Sequence, residues 1–405
     1  MTLKNVVLSI NERINSYSEI EGKLQFFNGN LPIILAEVCK EKVPFQKVAV
    51  LYSKSSYEKY GIEISKNLKA KGNSVTHLVL PDNFCNSIES FSHLFNLAED
   101  IRMVVSTDYK LNVACKYFAF VRKVNGCIFA DNLLQYRLLD PTLDIQNAGV
   151  YERVKVDIPL FIILSDDIST QTQSLSEVYA FIVSHALALT DYRVNKALNG
   201  KHVSKEGFLL ATKCVTNVYP LFNHDKIDQP LALLQGLLGL ELANLLCDGE
   251  IYHSFSCNVA SRLMNSTLEN VGKNTLLLAT SIAKIYEHYI SGLYGDILEY
   301  PNYLQRAQHL SFSLKLSQKE CLENLTTQAK IIRQSQREIK GLNEKLHVDL
   351  QSFKECSIKM LNIYKALGGD TDIDLKKRAD AIRYSGDFIL NGMSIVRESG
   401  IAEYI

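Results

Sequence analysis

Val48-Ala49-Val50-Leu51-Tyr52, Val75-Thr76-His77-Leu78-Val79-Leu80, Met103-Val104-Val105 and Cys127-Ile128-Phe129-Ala130 decide the fold. Each is a short, almost unbroken apolar run rich in β-branched and aromatic residues, the pattern of a strand buried on both faces. The segments between them change period. Tyr57 to Ala70 places Tyr60, Ile64 and Leu68 at helical spacing, and Lys71-Gly72-Asn73 supplies a C-cap glycine. Pro81-Asp82-Asn83 stops the second strand, and further helices are expected over about Ser87–Glu99 and Leu111–Val121. Strands alternating with helices, joined by right-handed crossovers, predict a doubly wound parallel α/β domain.

Outward from that core, Asp131 to Val156 is irregular and polar, with a hairpin expected. Ile158 to Leu164 reads as one more strand, ending at Ser165-Asp166-Asp167. After about Ser174 strand signals nearly vanish. Ser176–Asn195, Lys205–Val218, Gln229–Cys247, Ile251–Met264 and Leu276–Ser291 read as helices, so the expected division is an α/β domain over 1–170 and an all-helical domain over 171–405. Residues 314–367 are polar with a narrow stripe of Ile331, Ile332, Ile339, Leu342, Leu346 and Leu350. Such a stripe suits long exposed helices closing the domain, or a partner-binding or dimerising seam. A loop at Gly368-Gly369-Asp370-Thr371-Asp372 and a last helix over about Lys376–Glu398 complete the reading.

Composition limits the function classes. At 405 residues the chain suits two or three domains of about 150 residues each. With 44 basic and 44 acidic side chains, the balance gives no electrostatic case for nucleic acid or an anionic membrane. No apolar window reaches membrane-spanning length, because Gln235, Glu241 and Asn244 interrupt the run from Pro230 to Leu246. The start lacks a signal-peptide pattern. Nine scattered cysteines with no Cys-x-x-Cys pair read as reduced core thiols in a cytoplasmic protein. Twenty glycines are about 5% of the chain against roughly 7% in ordinary usage, so each glycine merits locating. Gly-x-Gly-x-x-Gly, a Walker loop, His-Glu-x-x-His and Gly-x-Ser-x-Gly are all absent.

Four segments carry a resemblance. Val104-Val105-Ser106-Thr107-Asp108-Tyr109-Lys110 running on to Lys116 resembles the strand, glycine turn and lysine helix of the iron-containing alcohol dehydrogenase and dehydroquinate synthase-like superfamily. Ser184-His185-Ala186 to Asp191-Tyr192-Arg193 looks like the Ser-Lys…Asp-Trp-Arg helix of its sn-glycerol-1-phosphate and glycerol dehydrogenase branch. Gly249 to Cys257, with His253, and the strand ending Ser165-Asp166-Asp167-Ile168 are similar to two further segments of that branch. The matches fall in family order over roughly residues 25 to 400. The resemblance implies a Rossmann-like domain, a helical domain, a cleft between them, and chemistry using NAD(P) with a divalent Zn or Fe.

At several positions the residues depart from that pattern. Pairing Lys110 and Lys116 with the family's lysines sets Thr107, Asp108 and Tyr109 where three glycines hold a pyrophosphate. Glycine serves there because backbone N–H groups must approach phosphate closely. Asp108 adds a negative charge instead; against an anion at 4 Å it repels by about 1 kcal/mol in water and about 4 at an effective dielectric of 20. The family's metal ligands, one Asp and two His, fall on Phe181, His253 and Gly272. Phenylalanine and glycine offer no donor, so the expected metal site is none and no cofactor is expected outright.

The reading that follows is a divergent homologue of NAD(P)- and metal-dependent polyol-phosphate dehydrogenases, impaired or repurposed, with its catalytic residues undetermined. It would keep a cleft for an unknown, phosphorylated or other small molecule, or serve as a partner-binding scaffold. Two alternatives stay open: an active glycerol-1-phosphate or glycerol dehydrogenase-like oxidoreductase using NAD(P) and Zn or Fe, and a different reaction on an anionic substrate. Cleft candidates are His185, His253, Asp166 and Asp167; for the last two a helix-capping turn is the preferred role. Self-association into a homo-oligomer is compatible with the 314–367 helices.

Overall fold

In a computed structural model, six strands pair in parallel: β1 (Gln25–Asn28), β2 (Lys47–Tyr52), β3 (Ser74–Val79), β4 (Ile101–Ser106), β5 (Asn125–Ala130) and β8 (Phe161–Leu164). Their order across the sheet is β1-β8-β5-β4-β2-β3. Between β5 and β8 the chain forms β6 (Thr142–Asn147) and β7 (Val150–Lys155), a separate two-stranded sheet where the sequence suggests a hairpin. The structure describes residues 2–81, 83–133, 137–147, 150–170, 175–198, 202–219, 229–252, 271–290, 303–314, 317–323, 325–327, 351–353 and 355–372.

The doubly wound layering follows from the period-2 pattern of the strands. Val48, Val50 and Tyr52 face one side with Met103, Val105, Cys127 and Phe129, and are covered by α2 (Leu31–Lys42) and α3 (Lys54–Ala70) through Leu35, Cys39, Ile64 and Leu68. Ala49, Leu51 and Val104 face the other side, where α4 (Ile88–Phe95) and α5 (Asn112–Arg122) contribute Phe91, Leu94, Ala114 and Phe118. Both faces are dry over β2, β4 and β5, which is why these strands read as continuous apolar runs, whereas β3, at the sheet edge, is only partly buried. Ser53 and Ser87 accept from the backbone N–H groups of Ser56 and Ser90 and so start α3 and α4.

The chain divides into two compact units. The first comprises Met1–Asn147, Arg153–Ser174 and Lys226–Leu245; the second comprises Ala148–Glu152, Leu175–Asp225 and Leu246–Ile405. Helix α8 (Gln229–Leu246) thus lies mostly in the first unit, although sequence-distant from the sheet. The second unit holds α6 (Leu175–Leu198), α7 (Lys205–Val218), α9 (Val271–Ile290) and α10 (Tyr303–Leu314).

Several element bounds differ from expectation for local reasons. The last strand begins at Phe161 rather than Ile158, because Pro159 has no N–H to donate to a ladder. Ile251 and Tyr252 are in a turn, and the rest of the helix expected over 251–264 lies outside the described residues, as do all six residues of the expected stripe within 314–367 and all of 376–398. Ahead of Lys47 stand α1 (Leu3–Asn15), β1 and α2, for which no element was expected. No helix among the described residues is long and apolar enough to cross a membrane.

Buried Asn73, just ahead of β3, ties the start of that strand to the chain entering β2: its Nδ2 donates to the carbonyls of Val43 at 2.6 Å and Gln46 at 3.1 Å. Asn73→Ala leaves both carbonyls without that donor and is expected to lower stability by about 2 kcal/mol, read as a fall in chemical-denaturation midpoint with an unchanged slope.

Candidate functional site

In the sheet order, β2 has β3 on one side and β4 on the other, so the helices that follow β2 and β4 part company at the carboxyl ends of those strands. Such a switch point is where open α/β sheets accept ligands. The turn Thr107-Asp108-Tyr109 lies there. Thr107 is buried; its Oγ1 donates to the Leu51 carbonyl at 2.9 Å and to Ser56 Oγ at 2.9 Å, tying the β4 turn to β2 and α3. Asp108 is extended at φ −147°, and its Oδ1 accepts from the backbone N–H of Lys110 at 3.0 Å. Among the described non-glycine residues only Phe45, Lys123, Arg137 and Asp248 have positive φ, so this turn needs no glycine. The carboxylate of Asp108 thus satisfies a helix-start donor that a bound anion could otherwise take. Exposed Lys110 sets its Nζ 5.7 Å from the Tyr109 ring centroid.

Lys116, the second lysine of the resembled motif, faces inward from α5 and is 2% exposed. Its Nζ donates to the carbonyls of Arg137 at 2.6 Å and Asp140 at 3.1 Å. From α8, Glu241 accepts the backbone N–H of Arg137 at 2.5 Å and of Leu139 at 3.0 Å. Arg137 in turn reaches Asp144 Oδ2 at 3.5 Å. Burial dominates both ionisations: it pulls the Lys116 ammonium down to about 8 and pushes the Glu241 carboxyl up to about 7. Glu241 was not singled out as a site residue, although an acid inside the apolar run Pro230–Leu246 was the available signal.

Two of the three positions where the resembled family holds metal fall on described residues, both in the second unit. Phe181 on α6 is buried, with ring centroids 4.5 Å from His185 and 5.5 Å from Tyr252; His185 and Tyr252 lie 5.1 Å apart. His185 Nδ1 stands 2.5 Å from the Phe181 carbonyl, and since a carbonyl only accepts, the proton is on Nδ1. On α9, a β-carbon at Gly272 would meet the Glu177 carbonyl oxygen at 2.0 Å and its carbon at 2.8 Å. Glu177 also accepts the Lys273 N–H through Oε2 at 3.0 Å, while Tyr364 O–H donates to its Oε1 at 3.4 Å. Lys273 Nζ pairs with Asp370 at 2.6 Å. Burial raises the Glu177 carboxyl above the usual carboxylate range. A ring, a glycine with no room for a side chain, and a lysine tied to Asp370 do not fit a divalent metal. His253 lies outside the described residues, so its relation to Phe181 and Gly272 is not described.

The remaining candidates separate. Asp166 and Asp167 are exposed in a short 3-10 turn over Asp166–Thr170; Ser165 Oγ, rather than either acid, accepts the Asp167 N–H at 3.4 Å. Asp166 accepts from Asn28 Nδ2 at 3.4 Å. They belong to the first unit and His185 to the second. Among the described residues no three His, Cys, Asp or Glu side chains converge as a metal cluster.

The parallel six-stranded sheet with its flanking helices and the helical part has the fold of iron-containing alcohol dehydrogenases. No family model matches the chain, and no curated protein matches it in sequence. It is similar to an archaeal alcohol dehydrogenase from a Red Sea brine pool, with TM-score 0.57 and 11% identity over 94% of this chain and 96% of that one. An iron-containing alcohol dehydrogenase of Thermotoga maritima gives TM-score 0.53 and 12% identity over 94% and 96%. Glycerol dehydrogenase of Schizosaccharomyces pombe gives 0.50 and 12% over 84% and 91%. At such identities the likeness is one of fold.

Two measurements follow from this geometry. Gly272→Ala places a methyl into backbone that cannot yield cheaply, and is expected to destabilise by at least about 3 kcal/mol, with Gly272→His failing to fold; circular dichroism melts read both. For Glu241, the folded carboxyl holds its proton up to about pH 7 whereas the unfolded one releases it near 4.5. The folded state binds more protons in that window, so this group's contribution to stability falls as pH rises through it. Unfolding free energies from pH 4.5 to 7 should therefore slope downward more steeply in the wild type than in Glu241→Gln.

Proposed function

We propose that this chain is a divergent homologue of the NAD(P)- and metal-dependent polyol-phosphate dehydrogenases that has given up metal-assisted hydride transfer and is repurposed. The observation that carries the reading is the joint at Gly272, where the space a ligating histidine needs is filled by the Glu177 carbonyl. Phe181 on α6 supports it, because a buried ring packed against His185 and Tyr252 contributes no donor. In the resembled enzymes the metal polarises the alcohol oxygen, and the nicotinamide accepts the hydride. At the β4 turn, Asp108 supports the same reading, since it would set a carboxylate against a pyrophosphate. A cytoplasmic setting is supported by the eight described cysteines, all free thiols and six of them buried.

The test uses purified protein loaded with zinc or ferrous iron and then desalted. Expected are less than stoichiometric metal by elemental analysis and no quenching of tyrosine fluorescence by NADH; the chain has 20 tyrosines and no tryptophan to supply the signal. One tightly held metal per chain together with saturable NADH quenching would sink the proposal and favour the active glycerol dehydrogenase-like alternative.

A further inference from the structure

The segment Arg137–Asp140 is held by charged side chains from elsewhere in the first unit rather than by its own sequence. Arg137 has φ 63°, the left-handed region that a residue with a β-carbon rarely adopts. Its carbonyl and that of Asp140 accept from Lys116 on α5; its N–H and that of Leu139 donate to Glu241 on α8. Asp140 is itself buried, and its Oδ1 accepts from Thr142 N–H at 3.1 Å and Oγ1 at 2.9 Å, closing the far end. A connection between β5 and β6 does not require this arrangement. A surface loop satisfies the same carbonyls and amides with water, whereas burying an ammonium and a carboxylate carries a desolvation cost that apolar packing avoids.

The location gives the arrangement a use. Lys116 stands one turn into the helix that follows β4, and the segment lies on the chain leaving the carboxyl end of β5, the strand paired with β4. An anion arriving at the carboxyl ends of those strands would find the Lys116 ammonium open to it if the segment were displaced. We propose that residues 137–140 form an autoinhibitory strap that occupies the donors of Lys116, with Glu241 as the catch that keeps it closed. The strap stands on the first unit alone, and holds whether or not the chain retains dehydrogenase chemistry.

Lysine acetylation of the native protein by acetic anhydride, read residue by residue by mass spectrometry, tests it beside amide exchange. In the wild type, Lys110 should react at once and Lys116 slowly, yet faster than the amides of Val105 and Ile128 exchange in the sheet, because the strap opens without global unfolding. In Glu241→Gln, Lys116 should react about tenfold faster while exchange at Val105 and Ile128 is unchanged. Excess inorganic phosphate should slow that gained reaction at Lys116. Lys116 reacting only as fast as the sheet amides exchange in the wild type would overturn the proposal, and this comparison decides even if the variant fails to fold. Phosphate leaving the freed Lys116 equally reactive would overturn it too.

Discussion

The Glu177 carbonyl fills the space where a β-carbon on residue 272 would stand, and the joint between α6 and α9 is built around that contact. With no side chain in the way, the N-terminus of α9 comes close enough for Glu177 to accept the Lys273 N–H, so one acid on α6 caps its neighbour. Tyr364 and Asp370 then complete the cluster from the chain's later part, Tyr364 donating to Glu177 and Asp370 pairing with Lys273. A single missing side chain therefore sets the helix spacing, the cap and the ion pair together. Any side chain placed at 272 would have to push the helices apart, and would lose all three.

The first unit solves a different problem by similar means. Its sheet is dry on both faces, so polar groups gather where strands end and loops begin. There the carbonyls and amides of Arg137 to Asp140 are satisfied by Lys116 and Glu241 instead of by water. Two opposite charges brought together in a dry setting attract strongly but must first leave water, and neither is held cheaply alone. Asp140 adds a second negative charge that acts on Lys116, so the three groups act together. The ionisations of Lys116 and Glu241 move toward each other in pH, burial disfavouring the charged form of each.

How much of this was legible in the sequence follows from what each residue does. The strands β2, β4 and β5 announced themselves because both faces are buried, as in the unbroken run Val48 to Tyr52, whereas β3, at the sheet edge and only partly buried, was legible through its β-branched residues. β1 is four residues with polar ends, Gln25 to Asn28, and carries too little pattern to be read, though α1 before it shows Leu3, Val6, Val7, Ile10 and Ile14 at helical spacing. Phe181 and Gly272 were suspect by chemistry alone, because neither offers a lone pair. What stands at the 272 joint was not legible: Glu177 looks like an ordinary first-turn acid, and its partners lie 96 and 187 residues away. Glu241 lay in view as the one acid of an apolar run, but a run of letters does not say which backbone a buried carboxylate will meet.

The β4 turn shows how a helix start can be completed by its own side chain. A glycine turn leaves its N–H groups unsatisfied and open, so an anion completes it. Here Asp108 supplies the acceptor from within, and Thr107 turns its hydroxyl to Leu51 and Ser56, so the turn is complete as it stands. A phosphate arriving there must displace a carboxylate already in place, against its charge, in a chain whose 44 basic residues are matched by 44 acidic ones and provide no surplus field to draw it in. Local geometry and overall charge thus act in the same direction. No residue of this turn has positive φ, so residues with side chains stand there without strain.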